Sequence, residues 1–316
     1  MKISFVIPCY GSETTIEIVV DEILYVLGQR EITDYEIVLV NDSSPDKVWN
    51  VIKELTRQNQ KIKGICLTKN FGQHSALLAG YRYCTGDYIV SLDDDGQTPI
   101  DELYQLLDKL EEGYDAVYAY YYEIKQKPFR RFGTWMAKKM GEVMLQQPKD
   151  FHASSFYIAR NFVIKEMIKY ENSYPYLFGL LLRTTNKIAC VPTHHRERMH
   201  GKSGYSLKKL LLLWVNGFTA FSVKPLEIGI YMGVILAFAG FIYAIVTVVR
   251  KLLYENVVMG WSSIISIMLI LGGMILIMLG LIGEYVGRIY ISINNAPQYV
   301  IRELTENFVE ENHETI

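Results

Sequence analysis

The chain of 316 residues is predicted to be an α/β protein joined to a membrane segment, and three observations predict this. Short β-rich runs alternate strictly with helical patterns over residues 1–120. Polar and acidic residues cluster directly after several of these runs. Residues 228–283 contain only three charged side chains, Arg250, Lys251 and Glu255. The alternation implies a parallel-rich central sheet with crossover helices, and the uncharged stretch implies helices in lipid.

The α/β part begins with four strands that alternate with four helices. The runs that predict strands are Ile3–Ile7, Tyr35–Val40, Ile62–Leu67 and Asp87–Leu92. The helical patterns begin near Glu13, Asp46, Gln73 and Ile100. Ligands of such sheets bind outside the carboxyl ends of the strands, so the residues that follow each strand form the predicted site.

The segments after the strands lack two common nucleotide-binding motifs. No G-x-G-x-x-G sequence follows any strand, which leaves a nicotinamide dinucleotide site without support. Gly201-Lys202-Ser203 ends like a phosphate-binding P-loop, but Arg196 stands where that motif needs its first glycine. With 32 basic and 34 acidic residues, the chain also has no basic excess to bind nucleic acid.

Three consecutive aspartates, Asp93–Asp95, follow the fourth predicted strand. In an extended backbone the side chains of Asp93 and Asp95 point the same way, about 6–7 Å apart. Two hard carboxylates in this arrangement suit Mg²⁺ or Mn²⁺ bound jointly with substrate phosphates. The alternative is a solvated turn that also caps the helix beginning at Ile100.

Two uncharged segments predict a membrane hairpin. Residues 228–249 are 22 residues without a charge, and as a helix they would extend about 33 Å, enough for a hydrocarbon core of about 30 Å. A second uncharged stretch covers 257–283, so both flanks of the hairpin lie on one side of the membrane. The basic residues of the flanks are Lys208, Lys209, Lys224, Arg288 and Arg302, against Arg250 and Lys251 in the turn. This asymmetry predicts a cytoplasmic N-terminal domain on a multi-pass protein of the cytoplasmic (inner) membrane.

These features divide the chain into successive parts. The predicted parts are a cytoplasmic α/β domain over 1–205, an interfacial amphipathic region over 206–227, two transmembrane helices over about 228–249 and 260–283, and a cytoplasmic tail over 284–316. The interfacial region is predicted because Lys208 and Lys209 stand within a dense apolar run that ends at Trp214. A substrate embedded in the membrane would contact the protein at this interfacial region.

Several segments of the chain resemble the family-two glycosyltransferases. They are Val6-Ile7-Pro8-Cys9-Tyr10, Val40-Asn41-Asp42, Asn70-Phe71-Gly72-Gln73, Leu92-Asp93-Asp94-Asp95-Gly96-Gln97, Gly201-Lys202-Ser203-Gly204-Tyr205-Ser206 and Gly283-Glu284-Tyr285-Val286-Gly287-Arg288-Ile289-Tyr290. Their order, together with the two spans, resembles the polyprenyl-phosphate glycosyltransferases of that family over about residues 3 to 303. This group includes bactoprenol glucosyltransferases, the undecaprenyl-phosphate formamidoarabinose transferase and dolichol-phosphate mannose synthase.

The resemblance implies a GT-A fold, a nucleotide-diphosphate-sugar donor and a divalent cation, Mg²⁺ or Mn²⁺. It assigns nucleotide-sugar binding to Pro8, Tyr10, Glu13, Asp42, Asp93 and Asp94. It assigns the metal to Asp93, Asp95 and Gln97. It assigns catalytic roles to Asp95, Arg130 and Asp150, and contacts with phosphates near the membrane to Arg198, Lys202 and Ser203. For Asp150 the alternative is a carboxylate on a surface loop.

The chain departs from the family pattern at four positions. Tyr121 stands where many relatives carry an arginine at the end of the fifth strand. This chain reads Phe156-Tyr157-Ile158 where relatives read Phe-Arg-Leu, so Tyr157 stands in place of the arginine. Both departures weaken the assignment of acceptor-phosphate contacts. Asp94 and Gly96 stand where relatives usually place apolar residues, which leaves the metal ligands intact.

The predicted reaction is the inverting transfer of a monosaccharide from a UDP-sugar to undecaprenyl phosphate for cell-envelope glycan modification. A lipid phosphate is already largely a dianion at neutral pH, so no strong general base is needed. By resemblance, a flippase and a second glycosyltransferase on the far side are implied partners. Glycines in and after both spans permit a homo-oligomer.

Two alternatives to this reaction are considered. One is a non-catalytic membrane scaffold that binds nucleotide-sugars, which the Tyr121 and Tyr157 departures motivate. The other is a processive polysaccharide synthase of the same superfamily. Such synthases carry a Gln-x-x-Arg-Trp motif and more spans, and the sequence shows neither.

Overall fold

The structure, a computed structural model, describes residues 1–121, 151, 154–172, 175–194, 224–253, 260–293 and 297–308. The chain divides into two compact units. The first unit joins residues 1–210 to residues 295–316, and the second consists of residues 211–294. The second unit is therefore an insertion between two parts of the first.

The first unit is built on one mixed sheet of eight strands. The strands are β1 (Ile3–Cys9), β2 (Tyr35–Asn41), β3 (Ile62–Leu67), β4 (Tyr88–Ser91), β5 (Ala116–Tyr121), β6 (Tyr157–Arg160), β7 (Ile188–Thr193) and β8 (Ile301–Leu304). They lie in the order β7-β5-β6-β4-β1-β2-β3-β8. The pairings among β1, β2, β3 and β4 and the β5–β7 pairing are parallel, whereas β6 runs antiparallel to β4 and β5, and β8 runs antiparallel to β3.

Helices pack on both faces of the sheet. The helices among the described residues of this unit are α1 (Ile16–Gln29), α2 (Val48–Gln58), α3 (Gln73–Tyr81), α4 (Leu103–Glu111), α5 (Asn161–Met167) and α6 (Leu177–Thr184), and a 3₁₀ turn at Ile100–Glu102 precedes α4. The main core cluster joins alternate β1 residues Ile3, Phe5 and Ile7 to α1, α2 and α4. Because both faces are covered, the central strands are buried along almost their whole length, and they are largely apolar apart from Ser4, Glu36 and Lys63.

The helix α3 lies very close to the opposite face of β1 and β2. A Cβ atom placed on Gly80 would stand 2.4 Å from Cγ1 of Val6 and 3.1 Å from Cγ2 of Val40. Only glycine permits this approach, since no real Cβ comes so near another carbon. The close packing holds α3 against the sheet, and the helix begins with Gln73.

The four strands and four helix starts predicted for the first 120 residues are confirmed within a few residues. The α/β class is also confirmed, and the parallel-rich sheet proves to be mixed. The strand β8 was not predicted: the chain returns from the inserted unit to the first unit and forms the outer edge of the sheet beside β3. Residues 301–304 therefore pair with the sheet of the first unit. The predicted domain boundaries remain predictions.

The second unit contains two long helices, α7 (Lys224–Leu253) of 30 residues and α8 (Trp261–Ile293) of 33 residues. Residues 228–249 and residues 261–283 of the two predicted apolar segments therefore lie in helices. Among the residues that the structure describes, none of the helices has the length and apolarity that crossing a membrane requires. The predicted interfacial region up to residue 223 lies outside the described residues.

Candidate active site

The loops after β1 and β2 are joined by backbone-to-side-chain hydrogen bonds at the carboxyl edge of the sheet. The backbone N–H of Gly11 donates to Oγ of Ser44 at 2.8 Å. The N–H of Glu13 donates to Oδ2 of Asp46 at 2.9 Å, and the Glu13 carboxylate accepts the N–H of Lys47 at 2.8 Å. The two loops therefore hold each other in place, and Glu13 contributes to that contact.

Asp42 joins the end of β2 to the start of α3. Its side chain is buried, and its two carboxylate oxygens accept the N–H groups of Phe71 at 2.7 Å and Gly72 at 2.8 Å. Burial raises the pKa of Asp42. The two hydrogen bonds lower it, but burial has the larger effect. Asp42 thus fixes the turn that leads into Gln73, where Gly72 takes the left-handed φ of 88°.

Asp93, the first residue of the acidic segment, accepts hydrogen bonds on both carboxylate oxygens. The Gln73 side-chain amide donates to Oδ1 at 2.7 Å, and the Ser155 hydroxyl donates to Oδ2. Gln73 begins α3 and Ser155 lies just before β6, so the carboxylate connects two separate elements with the end of β4. Both of these donors are neutral, and they hold the carboxylate in place.

Asp94 turns toward the loop after β1. Its Oδ2 accepts the backbone N–H of Tyr10 at 2.8 Å, and its carbonyl oxygen accepts the hydroxyl of Thr15 at 2.6 Å. Burial, together with the negative charge of Asp93, raises the pKa of Asp94 to about 6, although the hydrogen bond from Tyr10 lowers it. The Tyr10 side chain itself is about half exposed, so an aromatic face is open to a ligand beside a loop that Asp94 anchors.

Asp95 and Gln97 complete the acidic segment. Oδ1 of Asp95 accepts the N–H of Gln97 at 3.1 Å, across a turn in which Gly96 takes a φ of 72°. This left-handed conformation explains why glycine stands at position 96, since it costs other residues more. Among the described residues, no group of three or more histidine, cysteine, aspartate or glutamate side chains is placed to hold a metal ion. Two carboxylates are nevertheless a suitable set for Mg²⁺ or Mn²⁺, which take their remaining ligands from substrate phosphates and water.

The structure brings one group of the predicted site residues to the same edge of the sheet. These residues are Pro8, Tyr10, Glu13, Asp42, Asp93, Asp94, Asp95 and Gln97. Pro8 is buried within β1, where it pairs with Val40. The other predicted residues, Arg130, Asp150, Arg198, Lys202 and Ser203, lie outside the described residues, and every assigned role remains a prediction.

Tyr157, one of the departures from the family pattern, lies in the core. It is 3% exposed, its ring stacks on that of Tyr118 with centroids 4.6 Å apart, and its hydroxyl shares a hydrogen bond with the hydroxyl of Tyr81. Burial raises the pKa of the Tyr157 hydroxyl, so it remains protonated. This position contributes packing rather than a charge. The other departure, Tyr121, ends β5 beside Thr193.

Two contacts at the carboxyl edge were not anticipated from the sequence. Ser155 was not identified, although its position directly before a short apolar strand could have drawn attention to it. The second contact joins His194, which follows β7, to Glu102, the end of the 3₁₀ turn: Nδ1 of His194 lies 2.8 Å from Oε1 of Glu102. Both connect segments far apart in sequence, which no local pattern reveals.

The chain matches a known family over more than half of its length. Residues 4–170 match glycosyl transferase family 2, and residues 224–289 match the GtrB C-terminal hairpin. The chain therefore belongs to glycosyl transferase family 2 and is a glycosyltransferase.

Relatives along nearly the whole chain point to a narrower group. An uncharacterized glycosyltransferase YkcC of Bacillus subtilis is 32% identical, with 96% of this chain and 94% of that protein covered. The SfII prophage-derived bactoprenol glucosyl transferase of Shigella flexneri is 30% identical, with 96% and 98% covered. An undecaprenyl-phosphate 4-deoxy-4-formamido-L-arabinose transferase of Photorhabdus laumondii is 28% identical, with 99% and 97% covered.

The likeness to solved structures confirms a GT-A-like α/β fold. The glucosyl-3-phosphoglycerate synthase of Mycobacterium tuberculosis, solved with Mn²⁺ and uridine-diphosphate-glucose, superimposes with a TM-score of 0.52 at 19% identity. The match covers 69% of this chain and 77% of that one. At this identity the likeness concerns the fold.

Proposed function

We propose that this glycosyltransferase moves a monosaccharide from a UDP-sugar to undecaprenyl phosphate, with inversion at the sugar carbon and with Mg²⁺ or Mn²⁺ bound. The observation that carries the proposal is the meeting of Tyr10, Asp42 and the Asp93–Asp95 segment at one edge of the sheet. The product would be a lipid-linked sugar for cell-envelope glycan modification.

The donor is proposed from the composition of this edge. The exposed ring of Tyr10 offers a stacking surface for a base, and the linked loops after β1 and β2 offer polar groups beside it. A UDP-sugar was bound with Mn²⁺ in the Mycobacterium tuberculosis synthase that shares this fold. These features support a nucleotide-diphosphate-sugar, and we propose UDP as its nucleotide.

Asp93, Asp95 and Gln97 would hold the divalent cation. A bound cation supplies neutralisation of the charge that develops on the departing diphosphate. Asp93 is suited to this role because Gln73 and Ser155 each donate to one of its carboxylate oxygens and so hold the group in place.

The acceptor phosphate would attack the sugar carbon directly. As a dianion at neutral pH it needs no proton removed, so the protein has to orient two anions and reduce their repulsion. We assign the cations Arg130, Arg198 and Lys202, with Ser203, to the phosphate groups. Asp150 would orient the acceptor or the sugar. A single displacement of this kind inverts the anomeric configuration.

Membrane attachment through α7 and α8 is part of this proposal. Large apolar side chains are exposed along both helices, among them Ile230, Val234, Phe238, Phe241, Leu276 and Ile277. The uncharged runs in the sequence and the GtrB C-terminal hairpin match support lipid as their surroundings. We place the first unit on the cytoplasmic side, where undecaprenyl phosphate and a nucleotide-sugar can meet.

Further partners are proposed by analogy with the relatives. A lipid-linked sugar made on the cytoplasmic side requires a flippase and a second glycosyltransferase to reach a glycan on the other side. A homo-oligomer through the glycine-containing faces of α7 and α8 belongs to the same proposal. Co-purification followed by light scattering of the detergent complex tests the oligomer.

The experiment that tests the proposed reaction uses the full chain in detergent with undecaprenyl phosphate and Mn²⁺ or Mg²⁺. A panel of UDP-sugars is offered, and the lipid fraction is analysed by mass spectrometry. We expect a mass gain of one sugar that is abolished by a chelator and by Asp95→Asn. Nuclear magnetic resonance of the product should show the anomeric configuration opposite to that of the donor, and retention would contradict direct displacement.

The scaffold alternative makes a different prediction. A non-catalytic protein that only binds nucleotide-sugars would show UDP binding without transfer from any donor. Its cellular function would survive the Asp95→Asn substitution. The ordered hydrogen bonds around Asp93 and Asp94 favour the enzyme, because a scaffold has no need of carboxylates held in place for a metal ion.

A further inference from the structure

The carboxylate of Asp93 is held from two sides. Gln73 donates to one oxygen at 2.7 Å and Ser155 donates to the other. Because each donor comes from a different element, the plane of the carboxylate is defined by two contacts rather than one.

Both donors stand on elements that are themselves fixed. The start of α3 is held by the Asp42 carboxylate, which accepts the N–H of Gly72, and the other end of the helix packs on the sheet where Gly80 approaches Val6. Ser155 lies two residues before Tyr157, which pairs with Ser91 at the end of β4. The antiparallel pairing of β6 with β4 therefore places Ser155 beside the segment that follows Ser91, which contains Asp93.

From this arrangement we propose that Ser155 is a positioning residue for Asp93, and that Gln73 assists it from the opposite side. The Ser155 hydroxyl would orient the carboxylate toward the divalent cation without neutralising it. This inference rests on the proposed metal-dependent function. Groups that orient a metal ligand in this way typically change metal affinity by about 10- to 100-fold when they are removed.

The neighbouring serine supplies a matched control. The hydroxyl oxygen of Ser154 lies 2.6 Å from the backbone carbonyl oxygen of Ala119 and 2.9 Å from that of Phe156, so its one proton is directed to the backbone. It differs from Ser155 by one position in the chain and by the target of its hydroxyl. A general disturbance of this segment would affect both serine variants, whereas a positioning role for Asp93 affects Ser155 alone.

The experiment measures Mn²⁺ binding to the full chain in detergent with UDP present, by electron paramagnetic resonance of free Mn²⁺. This readout requires neither the sugar nor the lipid acceptor. We expect Ser155→Ala to bind Mn²⁺ about 10-fold more weakly than the wild-type chain. Ser155→Thr, which keeps a hydroxyl, and Ser154→Ala should bind as the wild type does, and all variants should retain the wild-type melting temperature within a few degrees.

Enzymatic transfer adds a second readout. The Mn²⁺ concentration for half-maximal rate should rise in Ser155→Ala, while the rate at saturating Mn²⁺ recovers most of its wild-type value. Equal Mn²⁺ affinity in Ser155→Ala and the wild type would overturn the inference and leave the proposed function intact. An equal loss in Ser154→Ala would overturn it as well. A wild-type chain that binds no Mn²⁺ in the presence of UDP would overturn both the inference and the metal-dependent function.

Discussion

Oδ2 of Asp94 accepts the backbone N–H of Tyr10 at 2.8 Å, so the acidic segment after β4 is attached to the loop after β1. These two segments are 84 residues apart in the chain. The same contact leaves the Tyr10 ring exposed while its backbone is fixed. An aspartate in the middle of the acidic segment thus supports the surface on which we place the nucleotide base.

Loss of the Asp94 carboxylate should weaken donor binding more than it slows transfer. In Asp94→Ala the Tyr10 N–H loses a charged acceptor, a contact of about 1.5–3 kcal/mol, and the loop is no longer held. We expect KM for the UDP-sugar to rise about 10-fold with a smaller change in kcat. Asp94→Asn keeps an acceptor oxygen, so its KM should lie between that of the wild type and that of Asp94→Ala. Equal KM values in all three proteins would contradict this account of Asp94.

Glu36 should stabilise the fold in a way that depends on pH. Glu36 and Lys63 are 1% and 2% exposed, and Nζ of Lys63 lies 3.0 Å from Oε2 of Glu36. Burial raises the pKa of Glu36, but hydrogen bonds from Ser4 and Thr85 and the charge of Lys63 outweigh it and lower the pKa to about 2. The carboxylate form is therefore favoured by the folded state.

This lowered pKa sets a window between about pH 4.5 and pH 2. Above this window the ionised Glu36 carboxylate makes its full contribution to the stability of the fold. That contribution is lost as the pH falls through the window. By linkage it amounts to about 3 kcal/mol in the free energy of unfolding. Denaturation at pH 7 and pH 3 measures it: Glu36→Gln should be strongly destabilised at pH 7, with a smaller difference at pH 3. A pH-independent difference would contradict the ion-pair explanation.

The Tyr157 hydroxyl should matter for stability and not for the acceptor. Tyr157→Phe leaves the buried Tyr81 hydroxyl without this partner, which should cost about 1–3 kcal/mol. Tyr157→Arg, which restores the residue of the relatives, would place a charge among the rings of Tyr118 and Tyr81 and should cost more. Thermal melting measures both, with Tyr25→Phe as the control because Tyr25 is exposed. A raised KM for undecaprenyl phosphate in Tyr157→Phe, at unchanged stability, would contradict the core assignment.

Thr305, the residue that follows β8, should stabilise the first unit. Its hydroxyl accepts the N–H of Gly64 at 2.9 Å, and its own N–H donates to the Gly64 carbonyl at 3.0 Å. Thr305→Val keeps the shape of the side chain but leaves a buried N–H without its acceptor, at about 1–3 kcal/mol. Thr305→Ser keeps the hydroxyl and should be much less affected. Equal melting temperatures for Thr305→Val and Thr305→Ser would contradict this role of the hydroxyl.

Much of the first 120 residues could be predicted from local pattern. The run Ile62–Leu67 was predicted with the bounds that the structure has, because a buried strand between polar turns has a clear pattern. The Asp93–Asp95 segment was recognised for the same reason: it directly follows such a strand. Polar residues at the carboxyl ends of parallel strands meet at one edge whatever the details of the loops.

The contacts that complete the site depend on long-range pairing. Ser155 meets Asp93 across 62 residues, and Thr305 meets Gly64 across 241. The strand β8 has only four residues, of which Arg302 and Glu303 are exposed, so neither its length nor its alternation marks it as a strand. Such elements take their structure from the strand beside them, and a local pattern carries no information about that partner.

The most direct test of the proposed function is a choice between two phosphate acceptors. The full chain in detergent, with Mn²⁺ and the UDP-sugar found active in the donor panel, is offered undecaprenyl phosphate and phosphoglyceric acid together. Mass spectrometry then locates the transferred sugar. The account predicts that the sugar appears on undecaprenyl phosphate and that none appears on phosphoglyceric acid. Sugar on phosphoglyceric acid, with the lipid phosphate unchanged, would contradict it.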